Sequence, residues 1–386
     1  MEYLNGRYRE RFAKIKNMTV YMDLKKELGR IPEKRRGILK AITEKIVSGE
    51  WPLGEKIPNR VTIEKTFKAS SVTVQRAMEF LTADGFLEPR GRSGTFVSKN
   101  PPYLHNYAIV FYGHPKNNWS AFLESIASEA GKLKLDGRSK IKFYYDLNGD
   151  PRVKDYGRLI GDIRAHRLAG IFFTTNPYQL AGTPITDEGD IPRVSIMNSK
   201  ANTKLDSVIL DSGSVVEKGI SYLVGKGCRK IGLFVTSQQA KGFLPHFKRL
   251  IAERKCICRD EWIQSVHAAS PWSAVNVVKL LFKLDRKDIP DGIYIADDNL
   301  AAHVIEGIKG SGKNIPRDIV VSSHSNFPAT FDHPDSVKLF GFNINQVLKE
   351  SLRLLDMKNR GLKAPSSICI KACSGDEFEK AYASRK

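Results

Sequence analysis

The chain has 386 residues, more than one hydrophobic core usually serves, and its 41% hydrophobic and 27% charged residues exclude a disordered chain and point to two domains. Its formal net charge of +20 favours a polyanionic partner, nucleic acid above all. No apolar run reaches the roughly 18 residues of a membrane span, the N-terminal MEYLNGRYRERFAKIKNM lacks the apolar core of a secretion signal, and the five scattered cysteines do not build a disulfide framework. A protein with no membrane contact, working in the reducing cytoplasm, is expected.

The excess charge is concentrated at the start, where residues 1–100 hold 21 Lys and Arg against 12 Asp and Glu. Residues 1–35 read as a polar, basic leader: either an arm that tracks phosphates, or sequence ahead of a true start at Met18 or Met22. In ILKAITEKIVSGEW (38–51), Ile38, Leu39, Ile42 and Ile46 share one face at helical spacing, with Gly49 as the cap. NRVTIEKTF (59–67) reads as a short helix opened by Asn59, and Lys68-Ala69 leaves room only for a tight turn. Ser70 then caps a third helix running to about Ala83. Its inward positions are Val74, Ala77, Met78 and Leu81, so Ser71, Thr73, Gln75 and Arg76 face outward. GFLEPRGRSGTFV follows as a β-hairpin whose tip carries Arg90, Arg92, Ser93 and Gly94. Two helices joined by a tight turn and followed by such a hairpin make a winged helix-turn-helix over residues 36–98, with Arg60 and Ser70 flanking the outward face of the third helix.

SGEWPLGEKIPN followed by SSVTVQRAMEFLTADGFLEPRGRSGTFV resembles the GntR-type DNA-binding domain, whose pattern runs G-x-x-x-x-G-x-x-[LI]-P-S, then S-R-x-T-V-R-x-A, then G-x-G-T-F-V. The resemblance implies that the Ser70–Arg76 face enters the major groove while the hairpin tip approaches the backbone and the neighbouring minor groove. Three positions depart from the pattern: Asn59 stands for serine, and Ser71 and Gln75 stand for arginines. Arginine pairs with guanine and glutamine suits adenine, so the family's usual half-site does not transfer to this chain.

SKNPPYLHN marks a domain boundary, and its paired prolines predict a stiff, extended linker over residues 99–106. From 107 to 386 the chain alternates short apolar runs (AIVFYG, LAGIFFTT, SVILD, KIGLFVTS, GIYIADD, DIVVSSHS) with helical stretches such as WSAFLESIASEAGKL and NLAAHVIEGIKG. The predicted class is α/β, a two-lobed, doubly wound domain with buried parallel strands and ligands bound beyond their carboxyl ends. DGIYIADDNLAAHVIEGIKGSGKNIPRDIVVSS and SVILDSGSVVEKGISYLVGKGCRKIGLF resemble the sensor domain of LacI/GalR-type regulators, itself similar to periplasmic binding proteins. A GntR-type reader joined to such a sensor resembles the arabinose-responsive repressors.

That resemblance implies a carbohydrate effector, with Asp298 at the family's ligand-binding aspartate, Asp211 at the aspartate opening the helix after SVIL, and Trp119 near a pocket aromatic. Asp211 and Asp298 also read as helix caps, and Trp119 as core. Asn176 and Asn198, at strand ends, join the candidate set, as does His324 at the pocket rim. Gln239 stands where the family tends to place an arginine, and SSHS (322–325) replaces the usual G-[YF]-D-[DN].

Other motifs carry less. GIKGSGKN lacks the closing Ser or Thr of a phosphate loop and follows a helix instead of a strand, Cys256-x-Cys258 has no second ligand pair at zinc spacing, and no G-x-S-x-G elbow accompanies His324. No cofactor, metal or enzymatic activity is expected. The expected function is a homodimeric transcription regulator that binds an operator under control of a small molecule. The alternatives are a cytoplasmic solute-binding protein and a Rossmann-like enzyme with an accessory basic domain.

Overall fold

The structure is a computed structural model that describes residues 32–117, 119–133, 139–197, 205–283 and 289–383. The leader up to residue 31, with Met18 and Met22, and the candidate Asn198 lie outside the described residues. Three helices open the chain: α1 (Glu33–Val47), α2 (Arg60–Phe67) and α3 (Ser71–Ala83). Helix α1 starts five residues before the predicted position, because Pro32 takes the extended conformation of a helix-opening residue and Glu33 places a carboxylate in the first turn. Gly49 lies just past its end, with φ +79°. Helix α2 is capped by Asn59, whose side chain accepts from the Thr62 amide at 2.9 Å, and it stops where Lys68 turns left-handed at φ 46°. Helix α3 is capped by Ser70, which accepts from the Thr73 amide at 3.3 Å, a contact that stabilises such a terminus by about 1 kcal/mol.

Strands β1 (Leu87–Pro89) and β2 (Thr95–Val97) pair antiparallel, with Leu87 opposite Val97, and a 3-10 turn over Gly91–Ser93 forms the tip. The stripe Ile38, Ile42 and Ile46 meets Ile63, Val74, Ala77 and Leu81, and the hairpin closes this core with Phe86, Leu87 and Val97. The linker differs from its predicted extended form. Pro101 is extended, but Pro102 occupies a helix-opening position, where its missing amide proton costs nothing, and a short helix α4 (Pro102–His105) leads directly into β3 (Asn106–Val110).

Beyond it come α5 (Ala121–Lys132), β4 (Lys140–Tyr144), α6 (Lys154–Arg164), β5 (Gly170–Phe173), α7 (Pro184–Asp187), β6 (Arg193–Met197), β7 (Asp206–Leu210) and α8 (Ser212–Gly225). They are followed by β8 (Ile231–Thr236), α9 (Ser237–Glu253), β9 (Ile263–Val266), α10 (Ser273–Leu281), β10 (Gly292–Ile295), α11 (Asp298–Gly310) and β11 (Val320–Phe327). The chain closes with β12 (Lys338–Asn343), α12 (Ile344–Asn359), β13 (Ser367–Ile370), β14 (Cys373–Ser374) and α13 (Gly375–Ala383). One sheet has the order β13-β7-β6-β5-β3-β4 and the other β14-β12-β11-β10-β8-β9. The pairs β13–β7, β6–β5, β5–β3, β3–β4, β12–β11, β11–β10, β10–β8 and β8–β9 run parallel as predicted, and β12 with β14 is antiparallel.

Two compact units result. One comprises the winged helix through His114 together with 134–195 and 351–366, and the other comprises 115–133, 196–350 and 367–386. In the first, Val110, Tyr144, Tyr156, Ile160 and Phe173 build the core between strands and α6. In the second, consecutive residues of β10 feed opposite faces: Ile293 and Ile295 pack with Trp262, Leu300 and Val304, while Tyr294 packs with Ile220 and Phe247. Burial on both faces explains why these strands read as continuous apolar runs.

Candidate DNA interface and ligand cleft

Helix α3 turns a polar arc away from the winged-helix core. Ser70, Gln75 and Arg76 are exposed, and Ser71 and Thr73 are partly so. Ser70 and Thr73 also share a hydroxyl hydrogen bond of 2.9 Å, so both serve the cap that brings the helix N-terminus to the surface. Arg60 on α2 reaches across to Gln75, donating to its Oε1 at 3.3 Å, while its Nε lies 3.2 Å from Glu64. The Gln75 amide in turn donates to Glu79 at 3.0 Å. The glutamine is thus held from both sides, with its amide orientation fixed before any partner arrives.

The hairpin arginines differ in kind. Arg90 donates to Glu88 at 2.9 Å and lies 4.3 Å over the Phe96 ring, and its amide closes the tip by donating to the Gly94 carbonyl at 2.8 Å. Arg92, Ser93 and Gly91 form the exposed turn itself. Among the described residues, the guanidinium groups of Arg76 and Arg92 have no side-chain partner, which leaves both for an external anion. Two contributors escaped the sequence reading. Val72, 62% exposed, lies on the same arc as Gln75 and Arg76 at positions i, i+3 and i+4, a spacing the sequence already held. Lys56 pairs its backbone with Phe96, and its side chain crosses Gly94 closely enough that a β-carbon there would stand 2.7 Å from Lys56 Cε. No local sequence signal announces that bridge.

The first compact unit contains a cleft of about 250 Å³ at the carboxyl ends of β3 and β5, lined by Val110, Tyr112, Leu147, Phe173, Thr175, Asn176, Pro177, Tyr178, Gln179 and Leu180. It lies at the point where the chain order reverses around β3, with β4 on one side and β5 on the other. Of the predicted ligand residues, Asn176 is here. The aromatic lining of Tyr112, Phe173 and Tyr178 was not anticipated, since an exposed tyrosine in a loop carries no periodic signal.

Trp119, Asp211, Gln239, Asp298 and His324 belong to the second unit. Asp211 caps α8 by accepting from the Ser214 amide at 3.1 Å. Asp298 is buried in the first turn of α11, and its Oδ2 accepts from the Asn326 amide at 3.1 Å and side chain at 2.8 Å. Burial, reinforced by neighbouring Asp297, raises the Asp298 carboxyl above the ordinary carboxylate range, against the opposing influence of His324 and Asn326. Gln239 is exposed in the first turn of α9, His324 is half-buried on β11 beside the Phe342 ring, and Trp119 is half-buried just before the Ser120 cap of α5. Strand β11 is otherwise unusually polar: Ser322, Ser323, Ser325 and Asn326 are buried, and the Ser325 hydroxyl and Asn326 Oδ1 have no hydrogen-bond partner among the described residues.

Residues 34–97 match the family described as bacterial regulatory proteins, gntR family, and residues 220–344 match the periplasmic binding protein-like domain. Among relatives, the arabinose metabolism transcriptional repressor of Geobacillus stearothermophilus is 23% identical over 303 residues, covering 76% of this chain and 82% of that protein. An uncharacterized HTH-type transcriptional regulator of Bacillus subtilis, YdfD, is 44% identical over 75 residues, covering 19% of this chain and only 15% of its own length. Among solved structures, a LacI family transcriptional regulator from Arthrobacter in complex with lactose shares 12% identity at a TM-score of 0.55, covering 70% of this chain and 97% of that one. A LacI-family regulatory protein from Chloroflexus aggregans shares 15% at 0.54, covering 70% of this chain and 96% of that one. The chain therefore joins a winged helix that matches the gntR family of bacterial regulatory proteins to an α/β region that matches the periplasmic binding protein-like domain and has the fold of the LacI-family structures.

Proposed function

We propose that this protein is a transcription regulator that reads an operator through α3 and the hairpin and answers to a small, uncharged carbohydrate bound by its α/β domain. The observation that carries the first half is the exposed arc Val72, Gln75 and Arg76 on α3, together with Arg92 in the exposed hairpin turn, which has no side-chain partner among the described residues. Ser70, Ser71 and Thr73 present the helix N-terminus to phosphate, and Gln75, with Arg60, contacts base edges in the major groove. Val72 offers an apolar surface to a thymine methyl group. Arg76, Arg92 and Lys56 neutralise backbone phosphates, while Arg90, Ser93 and Gly94 shape the tip that delivers them. The operator is read by a homodimer, so its half-sites are related by a two-fold axis.

For the effector, the cleft of the first unit combines three aromatic side chains with the neutral polar groups of Asn176, Thr175 and Gln179, and among the described residues no charged side chain lines it. Such a lining suits a polyhydroxylated, uncharged ring better than a sugar acid or phosphate. In the second unit, Asp298, His324, Asp211, Gln239 and Trp119, with the open polar atoms of Ser325 and Asn326, are that unit's own candidate ligand residues. The named activity of the Geobacillus relative, and the lactose named for the Arthrobacter structure, support the carbohydrate class.

Selection from random duplexes tests the DNA reading: a two-fold related motif is expected, and the absence of enrichment overturns it. A thermal-shift screen tests the effector reading, because native-state binding raises the melting temperature by mass action. Neutral mono- or oligosaccharides should raise it and sugar phosphates should not. A rise given only by charged ligands overturns the assignment.

A further inference from the structure

One side chain outside the winged helix holds the recognition helix from behind. Arg167 follows α6 in the same compact unit; its Nε donates to Asp84 Oδ2 at 2.8 Å and its Nη2 lies 2.7 Å from the same oxygen in an ion pair. Asp84 is the residue that closes α3. The third guanidinium nitrogen, Nη1, donates to Asp162 Oδ1 at 3.1 Å, so one arginine bridges a carboxylate of the reading head and a carboxylate of α6. Asp162 is anchored in turn, since its Oδ2 accepts from the Tyr144 hydroxyl at 2.5 Å and from Lys142 at 3.0 Å. Burial pushes the Asp162 carboxyl up, but the Tyr144, Lys142 and Arg167 contacts prevail and hold it below the ordinary range.

Two further observations bear on the role. A carboxylate at a helix C-terminus opposes the helix dipole, so Asp84 is locally unfavourable in α3 and needs a cation from elsewhere. Arg167 is that cation. Independently, Tyr103 of α4 stacks on Phe86 of the winged-helix core with centroids 6.4 Å apart, and its carbonyl accepts from Asn359 of α12 at 3.1 Å. The reading head is therefore fastened at two separate places, and the linker between them is a helical turn.

We propose that Arg167 is a positioning residue for operator binding: by tying Asp84 to Asp162 it fixes the angle at which the recognition helix is carried on the α/β domain, and so sets the half-site spacing the protein accepts. This rests on the DNA-reading function proposed above. A head on a free tether reaches many spacings with similar affinity, whereas a head fixed in angle accepts one.

The test takes the half-site from the duplex selection and places two inverted copies at spacings that vary across about one helical turn, roughly 10 base pairs. Affinity is measured for the full chain, for Arg167→Ala, for Asp84→Asn, and for Arg167→Lys, which keeps the charge but cannot bridge two carboxylates with a planar fork. The wild type should favour one spacing by about tenfold or more, Arg167→Ala and Asp84→Asn should flatten that preference to within about threefold, and Arg167→Lys should fall between, with single half-site affinity unchanged within about twofold. Chymotryptic cleavage after Tyr103 should also be faster in the two flattened variants. Variants that keep the wild-type spacing preference overturn the proposal, as does an equal loss of single half-site affinity, which assigns Arg167 to holding the winged helix folded. A wild type that binds the selected duplex without spacing preference removes the positioning role alone. A wild type that selects no duplex removes the regulator function beneath it.

Discussion

Arg90 and Arg92 stand two residues apart on one hairpin and do different work. Arg90 is committed within the protein to Glu88 and the Phe96 ring, whereas Arg92 has no side-chain partner among the described residues. Arg92→Ala should therefore reduce the slope of log affinity against log salt by about 1, the loss of one phosphate contact. Arg90→Ala should leave that slope nearly unchanged while lowering the melting temperature. Salt titrations of the two variants on one duplex check both. Gln75 is a separate case, because Arg60 and Glu79 orient its amide in advance. Gln75→Ala should relax preference at one base pair by about 1–3 kcal/mol, and Arg60→Ala should be non-additive with it, by about 0.5–3 kcal/mol, because the two side chains touch. Binding to duplexes substituted at each position measures this; a uniform loss across all sequences from both Arg92→Ala and Gln75→Ala contradicts the division of roles. The outward set on α3 was legible from helical periodicity alone, since Val74, Ala77 and Leu81 fix which way the helix faces. The commitment of Arg90 was not, because it depends on the register that sets Glu88 opposite Phe96.

At the scale of elements, the strands up to DIVVSSHS and helices such as α5, α8 and α11 were legible because each carries its own apolar run or stripe, whereas α6, α9 and α10 were not read. The α4 turn was not: paired prolines fix φ but leave open whether the second one opens a helix. Strands β12, β13 and β14 also went unread, their places being fixed by the strands they pair with. One position in β12 shows how close those partners come. Gly341 lies beside Ser325 in the parallel pair β11–β12, where a β-carbon would overlap the Ser325 carbonyl oxygen. Backbone cannot yield as a flexible side-chain end does. Gly341→Ala should therefore cost more than the about 1–3 kcal/mol usual for overpacking, read as a lowered denaturation midpoint. It should also disturb the polar stretch Ser325–Asn326 proposed for the ligand. An alanine variant of unchanged midpoint contradicts the close approach.

For the whole molecule, the joining of a basic winged helix to a doubly wound α/β region was legible in charge distribution and in the alternation of strand and helix patterns. What could not be read is chemistry that only three dimensions assemble: the aromatic lining around Asn176, and the reach of Arg167 to Asp84 across 83 positions of sequence. Asp211 and Asp298 illustrate the limit of motif reading, since both carboxylates have protein partners, Ser214 and Asn326, in addition to the ligand role that the resemblance implied. The central claim is that DNA reading and ligand binding belong to one linked device. It is tested most directly by titrating a fluorescent selected duplex with the full chain, with and without a saturating amount of the sugar that raises its melting temperature. The account expects affinities that differ by about 5- to 150-fold, the usual range of coupling between two sites in one protein. Titration curves that superimpose contradict it.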